Sequence, residues 1–440
     1  MVARKTVCLR RLGGQRGGEL QAGRFFANPK VTAGKIVAGW SLLTGAASAG
    51  RHVLAIQDTT EVKFPTQAQR RRGLGPIKSG NAYGVLVHAM IAVDADSQAC
   101  LGLVGGAVWN RPGVVTTPHR DRPLSERESR RWLETAEQAK AVLWPAAMIT
   151  VVDDREGDIY AKWASLPQPG FHLLTRAMVD RPLGGKPTKG TKSRTLFTAA
   201  RRFATAGTRQ IELAARQPER AKRTATVDIR FGEVELCRPR DERDRSLAPT
   251  VRLRLVEVRE VAAPSGAERL HWRLLTTHEI PDAAKAWQIV GWYQARWVIE
   301  QLFRVMKSQG LQLEDSQIAS ADRLVKLAAA ATKAACIDIQ LTQERDGKHQ
   351  LSAATVFTEP EIDTIEALIP TLEGSTTRQK NPHPTGSLAR AAWVIARLGG
   401  WNCYYKPPGP ITFRRGMEQF YAIHRGRLLE MRLQREVRIP

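Results

Sequence analysis

Three carboxylates stand where the sequence pattern can bring them together. Asp58 and Asp154 each follow an apolar, strand-like run, and Glu300 lies in an apolar stretch of helical period. Open sheets build their sites from polar groups at strand ends. Carboxylates that share a site repel one another by about 4 kcal/mol per pair at about 4 Å, and a hard divalent cation relieves that repulsion. The expected chemistry is metal-assisted: two Mg²⁺ or Mn²⁺ ions can clamp the attacking and leaving oxygens of a phosphodiester.

Glu300 belongs to a polar row that also contains Tyr293, Arg296 and Lys307. One continuous helix over residues 292–310 would place the four side chains within an arc of roughly 60°. The apolar residues on the opposite side would pack on a core. The same spacing allows a purely structural role, in which Glu300 pairs with Arg296 or Arg304 and the two aspartates cap turns.

The charge balance indicates a polyanionic partner. The chain has 67 Lys and Arg against 43 Asp and Glu, a formal net charge of +24, and nucleic acid is the leading candidate. An anionic membrane is the weaker one, because no apolar run approaches 18 residues and the N-terminus has no apolar signal region. Five scattered cysteines without a C-x-x-C pair argue against a zinc ribbon and a disulfide framework. We therefore expect a cytosolic protein.

The coarse element order indicates an α/β protein. Apolar and alternating runs predict strands at 52–62, 83–96, 99–110 and 170–178, the first three antiparallel, and a helix at 125–143. Residues 147–160 are expected to form a buried strand that runs into the start of a helix, which gives the order β-β-β-α-β-α-β. Short strands with charged turns fill 208–277 and predict a β-rich insertion. Helices are expected over 284–308 and 320–343. A polar linker at 371–387 then precedes two C-terminal helices, the last of them basic and amphipathic.

These residues together resemble one known family. Tyr293-x2-Arg296-x3-Glu300-x6-Lys307 matches the Y-R-E-K signature of the DDE transposases of the insertion-sequence-four family, the group that includes transposon five. QDTT resembles the segment with the first catalytic Asp of that family, at Asp58, and DDRE the segment with the second, at Asp154. Further similar segments occur in the same order: GRFFANPKVT, GLGPI, ESRRW and LHWRLLT.

The resemblance implies an architecture. It is an α/β fold with an RNase H-like mixed-sheet catalytic core, which a β-rich insertion interrupts, and a C-terminal helical region used for dimerisation. A truncated N-terminal segment is expected over 1–50, and the first part of the core over 51–205. The β-rich insertion follows over 206–280 and the second part of the core over 281–370. The linker and the C-terminal helical region take 371–440.

The resemblance also implies roles for individual residues. Asp58, Asp154 and Glu300 would be catalytic and bind two Mg²⁺ ions, with Mn²⁺ as a substitute. Phosphates near the cleaved end would be held by Tyr293, Arg296 and Lys307, whose donors suit phosphate oxygens. Trp272 would stack on a flipped base during hairpin formation, although a sheet-core Trp is an equal alternative. Arg176 would contact DNA.

The implied function is cut-and-paste DNA transposition by a homodimer on paired element ends, in the bacterial cytoplasm at the nucleoid. The sequence departs from the family ahead of GRFFANP, where relatives have a helical end-recognition domain and this chain has a short, glycine-rich segment without helical period. Two alternatives follow. The protein could bind DNA and inhibit transposition without catalysis, or it could be a stand-alone RNase H-like nuclease that cuts and never joins.

Overall fold

The computed structural model describes residues 1–2, 4–64, 73–77, 82–111, 128–184, 195–213 and 223–437. Its centre is a mixed sheet of nine strands in the order β3-β2-β1-β4-β5-β9-β8-β7-β6. The strands are β1 His52–Phe64, β2 Tyr83–Asp94, β3 Cys100–Trp109, β4 Met148–Asp153, β5 Phe171–Arg176, β6 Thr205–Leu213, β7 Arg223–Cys237, β8 Thr250–Glu260 and β9 His271–Thr276.

Helices cover both faces of this sheet. They are α1 Leu9–Gly13, α2 Arg16–Ala27, α3 Ala33–Ala38, α4 Thr44–Ala47, α5 Arg130–Val142, α6 Tyr160–Ser165, α7 Leu196–Ala200, α8 Ala283–Gln294, α9 Trp297–Arg304, α10 Ala321–Glu344, α11 Glu359–Leu372, α12 Leu388–Leu398 and α13 Pro410–Val437. Alternate residues of β1 supply the two cores: Leu54 and Ile56 pack with α8, α9 and α10, and Val53 and Ala55 with α5, α11 and α12. The chain is therefore an α/β protein with a large mixed sheet, as the pattern predicted.

The first five strands confirm the predicted order of β-β-β-α-β-α-β. Strands β1, β2 and β3 form an antiparallel meander. Strands β4 and β5 then run parallel to β1, and α5 and α6 make the connections. Long apolar runs made these strands predictable, because strands buried on both faces lack polar alternation. The predicted helix at 125–143 is observed from Arg130, and residues 125–127 lie outside the described part.

The β-rich stretch extends the same sheet. Strand β9 pairs antiparallel with β5, with Leu174 opposite Thr276, and β8, β7 and β6 follow in antiparallel order. The polar stretch after α11 contains a short 3₁₀ turn at Thr377–Gln379, and the two predicted C-terminal helices are α12 and α13. In the ranges that the structure describes, no helix has the length and apolarity that a membrane crossing requires.

Two local expectations were wrong. The segment ahead of GRFFANP does contain helix, because α2 begins at Arg16. Its last turns are fixed by tertiary contacts: Phe26 is buried, and Lys326 Nζ lies 3.3 Å from the carbonyl oxygens of both Phe26 and Asn28. Such contacts override the low helix propensity of the glycines.

The second wrong expectation is the single helix over 292–310. Helix α8 ends at Gln294, α9 begins at Trp297, and a π-helical turn follows at Val305–Gln309. At the junction the Arg296 N–H donates to the Tyr293 carbonyl, three residues back rather than four, at 3.1 Å. Wheel arithmetic assumes a constant 3.6 residues per turn, so it misses such a change of winding.

Candidate carboxylate site

Asp58 and Asp154 lie side by side on neighbouring parallel strands. Ile56 of β1 pairs with Val152 of β4, and each aspartate follows two residues later. Neighbouring strands are about 4.8 Å apart, so this register brings the two carboxylates to one edge of the parallel unit. The Thr59 backbone N–H donates to Asp58 Oδ1 at 2.7 Å. The close pairing of two acids is therefore built into the sheet.

Helix α9 adds the third carboxylate and a cation. Arg296 Nη1 donates to Asp58 Oδ2 at 3.1 Å, and Arg296 Nη2 donates to Glu300 Oε1. The side chains of Asp58 and Arg296 are 15% and 16% exposed, and that of Glu300 is 31% exposed. Burial, and secondly the Asp154 carboxylate, raise the pKa of Asp58 to about 7, although Arg296 opposes the shift. The cluster thus holds more negative charge than one guanidinium offsets.

The contacts of the structural alternative are present as well. Arg296 and Glu300 form the ion pair expected at helical spacing. Asp154 Oδ1 accepts from the Glu156 N–H at 2.8 Å and so caps the 3₁₀ turn Arg155–Gly157. These local contacts do not explain why Asp58 also contacts the Arg296 guanidinium. Asp58 lies on β1, more than two hundred residues away in sequence. The long-range contact is what makes the cluster a candidate site.

An aromatic and basic wall stands beside the carboxylates. Trp272 of β9 and Tyr293 of α8 meet edge to face, with ring centroids 5.5 Å apart. Arg176, at the end of β5, donates to the His271 carbonyl at 3.0 Å. Burial raises the pKa of the Tyr293 phenol, which is 6% exposed. The contact with Tyr293 supports the packing alternative for Trp272, and Trp272 also lines a cavity.

That cavity has a volume of about 1030 Å³, and every predicted site residue except Lys307 lines it. Lys307 lies on the π-helical turn after α9, where burial lowers the pKa of its ammonium group and Glu314 opposes the shift. Sequence reasoning missed four further arginines of the lining: Arg155, Arg223, Arg269 and Arg273. Arg223 is bound by both oxygens of Glu260. The cavity lining therefore has the three clustered carboxylates at one place and arginines around them.

Sequence reasoning also missed a buried polar network directly behind the carboxylates. Lys162 of α6 donates to Asp153 Oδ2, which also accepts from Thr175 Oγ1 at 2.9 Å. Gln57 Nε2 donates to Asp153 Oδ1 at 2.8 Å, and His88 Nε2 lies 3.1 Å from Gln57 Oε1. Burial lowers the pKa of His88 to about 3. The network joins β1, β2, β4, β5 and α6. Two of its members directly precede the site aspartates, Gln57 before Asp58 and Asp153 before Asp154.

The donor set of the cluster suits a hard cation. Carboxylate oxygens are the ligands that Mg²⁺ and Mn²⁺ prefer. Burial, and secondly the Asp154 carboxylate, raise the pKa of Asp58, and a nearby cation would favour its charged form. Within the described ranges, no three His, Cys, Asp or Glu side chains are grouped closely enough to hold one ion. The Arg296 guanidinium joins two of the acids, Asp58 and Glu300.

Compared with models of known protein families, the sequence matches none.

Proposed function

We propose that the protein is a DNA transposase that cleaves the ends of a mobile element and joins them to target DNA. One observation carries the proposal: Asp58 and Asp154 lie together on neighbouring parallel strands, and Arg296 links Asp58 to Glu300 on α9. Those are the three acids of the motif resemblance. A coincidental match to the sequence motif would not by itself bring these three acids into the lining of one cavity.

We further assign strands β1 to β5 and helix α9 to an RNase H-like catalytic core. Strands β6 to β9 are then the insertion, because they enter the chain between β5 and α8. The mixed sheet supports this assignment: β1, β4 and β5 are parallel, and β2 and β3 complete an antiparallel edge. In this interpretation the insertion supplies Trp272 to the cavity wall.

The proposed chemistry is phosphodiester transfer. Asp58, Asp154 and Glu300 would hold two Mg²⁺ ions, or Mn²⁺ in their place, which when bound supply Lewis acidity for hydrolysis and for attack by a DNA 3′-hydroxyl. Arg296 and Lys307 would orient phosphates beside the acids, the former through a planar fork and the latter as a point charge.

The wall residues would act on the DNA end itself. The Tyr293 phenol and Arg176 would donate to backbone oxygens, and Trp272 would receive an unstacked base on its exposed face. Base stacking on an aromatic ring offsets part of the free energy of unstacking. A hairpin route of cleavage requires such a receptor for the displaced base.

The proposed partners are double-stranded DNA and a second copy of the chain. The net charge of +24 and the arginines of the cavity favour a polyanionic duplex. Helix α13 leaves large apolar side chains exposed, among them Leu429 at 59% and Leu433 at 53%. A homodimer in the bacterial cytoplasm at the nucleoid would cover such a face and bring two ends together.

An end-cleavage and joining assay tests the proposal. Purified protein is incubated with Mg²⁺ or Mn²⁺, a target plasmid and labelled duplexes that carry the DNA flanking the coding sequence. We expect metal-dependent cleavage and joined products from the wild type and none from Glu300→Gln. Glu268→Gln is the matched control, because Glu268 lines the same cavity from the loop between β8 and β9, and it should leave both products unchanged.

Each other outcome has a definite meaning. DNA that is bound but intact with the wild type would refute catalysis and favour the inhibitory, DNA-binding alternative. Cleavage without joined product would refute transposition and favour the stand-alone nuclease. Equal activity of Glu300→Gln and the wild type would refute the three-carboxylate mechanism.

A further inference from the structure

Arg296 occupies the carboxylate oxygens that a metal ion would need. Its two terminal nitrogens donate to Asp58 Oδ2 and Glu300 Oε1, a contact that we name the Arg296 bridge. The other oxygen of Asp58 already accepts from the Thr59 N–H at 2.7 Å. In the bridged arrangement both oxygens of Asp58 therefore have a hydrogen-bond partner.

The bridge and a bound cation compete for the same carboxylates. Mg²⁺ and Mn²⁺ bind through carboxylate oxygens at short distances and in a strict geometry, and the guanidinium already takes one lone pair of Asp58 Oδ2 and one of Glu300 Oε1. The guanidinium is also permanently charged, so a divalent cation beside it meets a like charge in a partly buried site. Metal binding to Asp58 and Glu300 is therefore weaker while Arg296 stays in the bridge.

A phosphate is the chemical group most suited to receive Arg296. Guanidinium and phosphate form paired, charge-assisted hydrogen bonds, and the side chain borders a cavity large enough to admit a nucleotide end. Its backbone lies in the turn between α8 and α9, outside both helices. Rotation of the side chain towards the cavity therefore requires no change in either helix.

We propose that the Arg296 bridge weakens metal binding in the DNA-free protein, and that a DNA phosphate in the cavity draws Arg296 away from the carboxylates. The inference rests on the proposed function, since it takes DNA and a divalent cation as ligands of this site. It predicts reciprocal coupling, in which DNA tightens metal binding and metal tightens DNA binding by the same factor. The three acids then bind metal tightly, and cleave, only when a DNA end is already bound in the cavity.

Mn²⁺ binding to DNA-free protein tests the bridge without any reaction. Free Mn²⁺ is titrated by electron paramagnetic resonance at one fixed pH against the wild type, Arg296→Gln and Arg176→Gln. We expect Arg296→Gln to bind Mn²⁺ at least tenfold more tightly than the wild type, equivalent to about 1.4 kcal/mol. Arg176→Gln removes an equal charge from the same cavity but not from the bridge, and it should stay close to the wild type.

Added DNA should remove the difference between the proteins. With the labelled end duplex present, and after subtraction of ions bound by the duplex alone, wild-type affinity should rise to that of Arg296→Gln. Arg296→Lys keeps the charge but lacks the fork, so it should fall between the two and also serves if the Gln variant does not fold. Asp58→Asn in the Arg296→Gln background should abolish the tight site.

Failure of the inference can be told from failure of the function. DNA-free wild type that binds Mn²⁺ as tightly as Arg296→Gln, or an equal gain in Arg176→Gln, would overturn the bridge while leaving a metal-dependent transposase intact. No Mn²⁺ binding at Asp58 in any variant, with or without DNA, would overturn the proposed function together with the inference.

Discussion

Replacement of Lys162 by Met should destabilise the protein strongly. Lys162 and Asp153 are both fully buried, and the ammonium is the one charged donor that the carboxylate has in the network behind the site. Its other donors, from Gln57 and Thr175, are neutral. Removal of one partner from a buried pair leaves an uncompensated charge, for which about 3–5 kcal/mol is lost. Methionine retains the length of the side chain, so the loss reports the charge rather than a cavity.

Urea unfolding followed by tryptophan fluorescence measures this loss, and a double variant isolates its cause. Asp153→Asn added to Lys162→Met should restore at least half of the lost stability, because a neutral amide needs no cation. Burial raises the pKa of Asp153 even beside Lys162. A raised acid pKa gives stability that is present at low pH and lost as pH rises, so the deficit of Lys162→Met should shrink on acidification. A deficit below about 1 kcal/mol, or a double variant no more stable than the single one, would refute the reasoning.

Three further outcomes are expected. Metal-free Asp58→Asn should unfold at a higher temperature than the wild type above pH 7, because burial and Asp154 raise the pKa of Asp58 to about 7; a lower midpoint would contradict this. Burial lowers the pKa of His278 to about 2 and that of His52 to about 4. Below the ordinary value of about 6.5 the unfolded chain binds protons that the folded chain does not, so stability should fall by about 1.4 kcal/mol per pH unit for each histidine. His278→Asn should reduce that slope by one proton, as thermal midpoints measured between pH 4 and 6.5 would show. Trp272→Ala should reduce end cleavage in the labelled-duplex assay while Trp272→Phe retains it, and equal cleavage by the two variants would refute base stacking on residue 272.

The sheet core was predictable because its signals are strong and local. Apolar runs of the right length marked β1 to β5, and the meander followed from connections too short for a crossover helix. Helix α10 was found within one residue at each end, since its small and apolar residues keep a helical period over 24 residues. The same patterns predicted correctly that Asp154 follows a strand, but not that β1 continues through Asp58 to Phe64. Asp58 lies two residues beyond the last parallel pair of β1 and β4, Ile56 with Val152.

The failures arose where contacts between distant segments decide local structure. Nothing local in glycine-rich residues 16–27 indicates helix α2. Its end is fixed by tertiary contacts, through the burial of Phe26 and the hydrogen bond from Lys326 to the Phe26 carbonyl. The change of winding at Arg296 likewise accompanies its contact with Asp58. The buried network did leave a trace, because Gln57 and Asp153 are polar residues inside apolar runs. Their partners could not be named without the fold.

The continuous sheet also fixes the distance between two parts of the cavity wall. Strand β5 is hydrogen-bonded to β4 on one side and to β9 on the other, so Trp272 is two strand spacings, about 10 Å, to the side of the strand that carries Asp154. A hinged domain could vary that separation, whereas a ladder of backbone hydrogen bonds holds it constant. The lateral distance from the strand before Asp154 to Trp272 is therefore fixed by the sheet. Under the proposed function, that distance would limit which DNA ends can contact the acids and the tryptophan together.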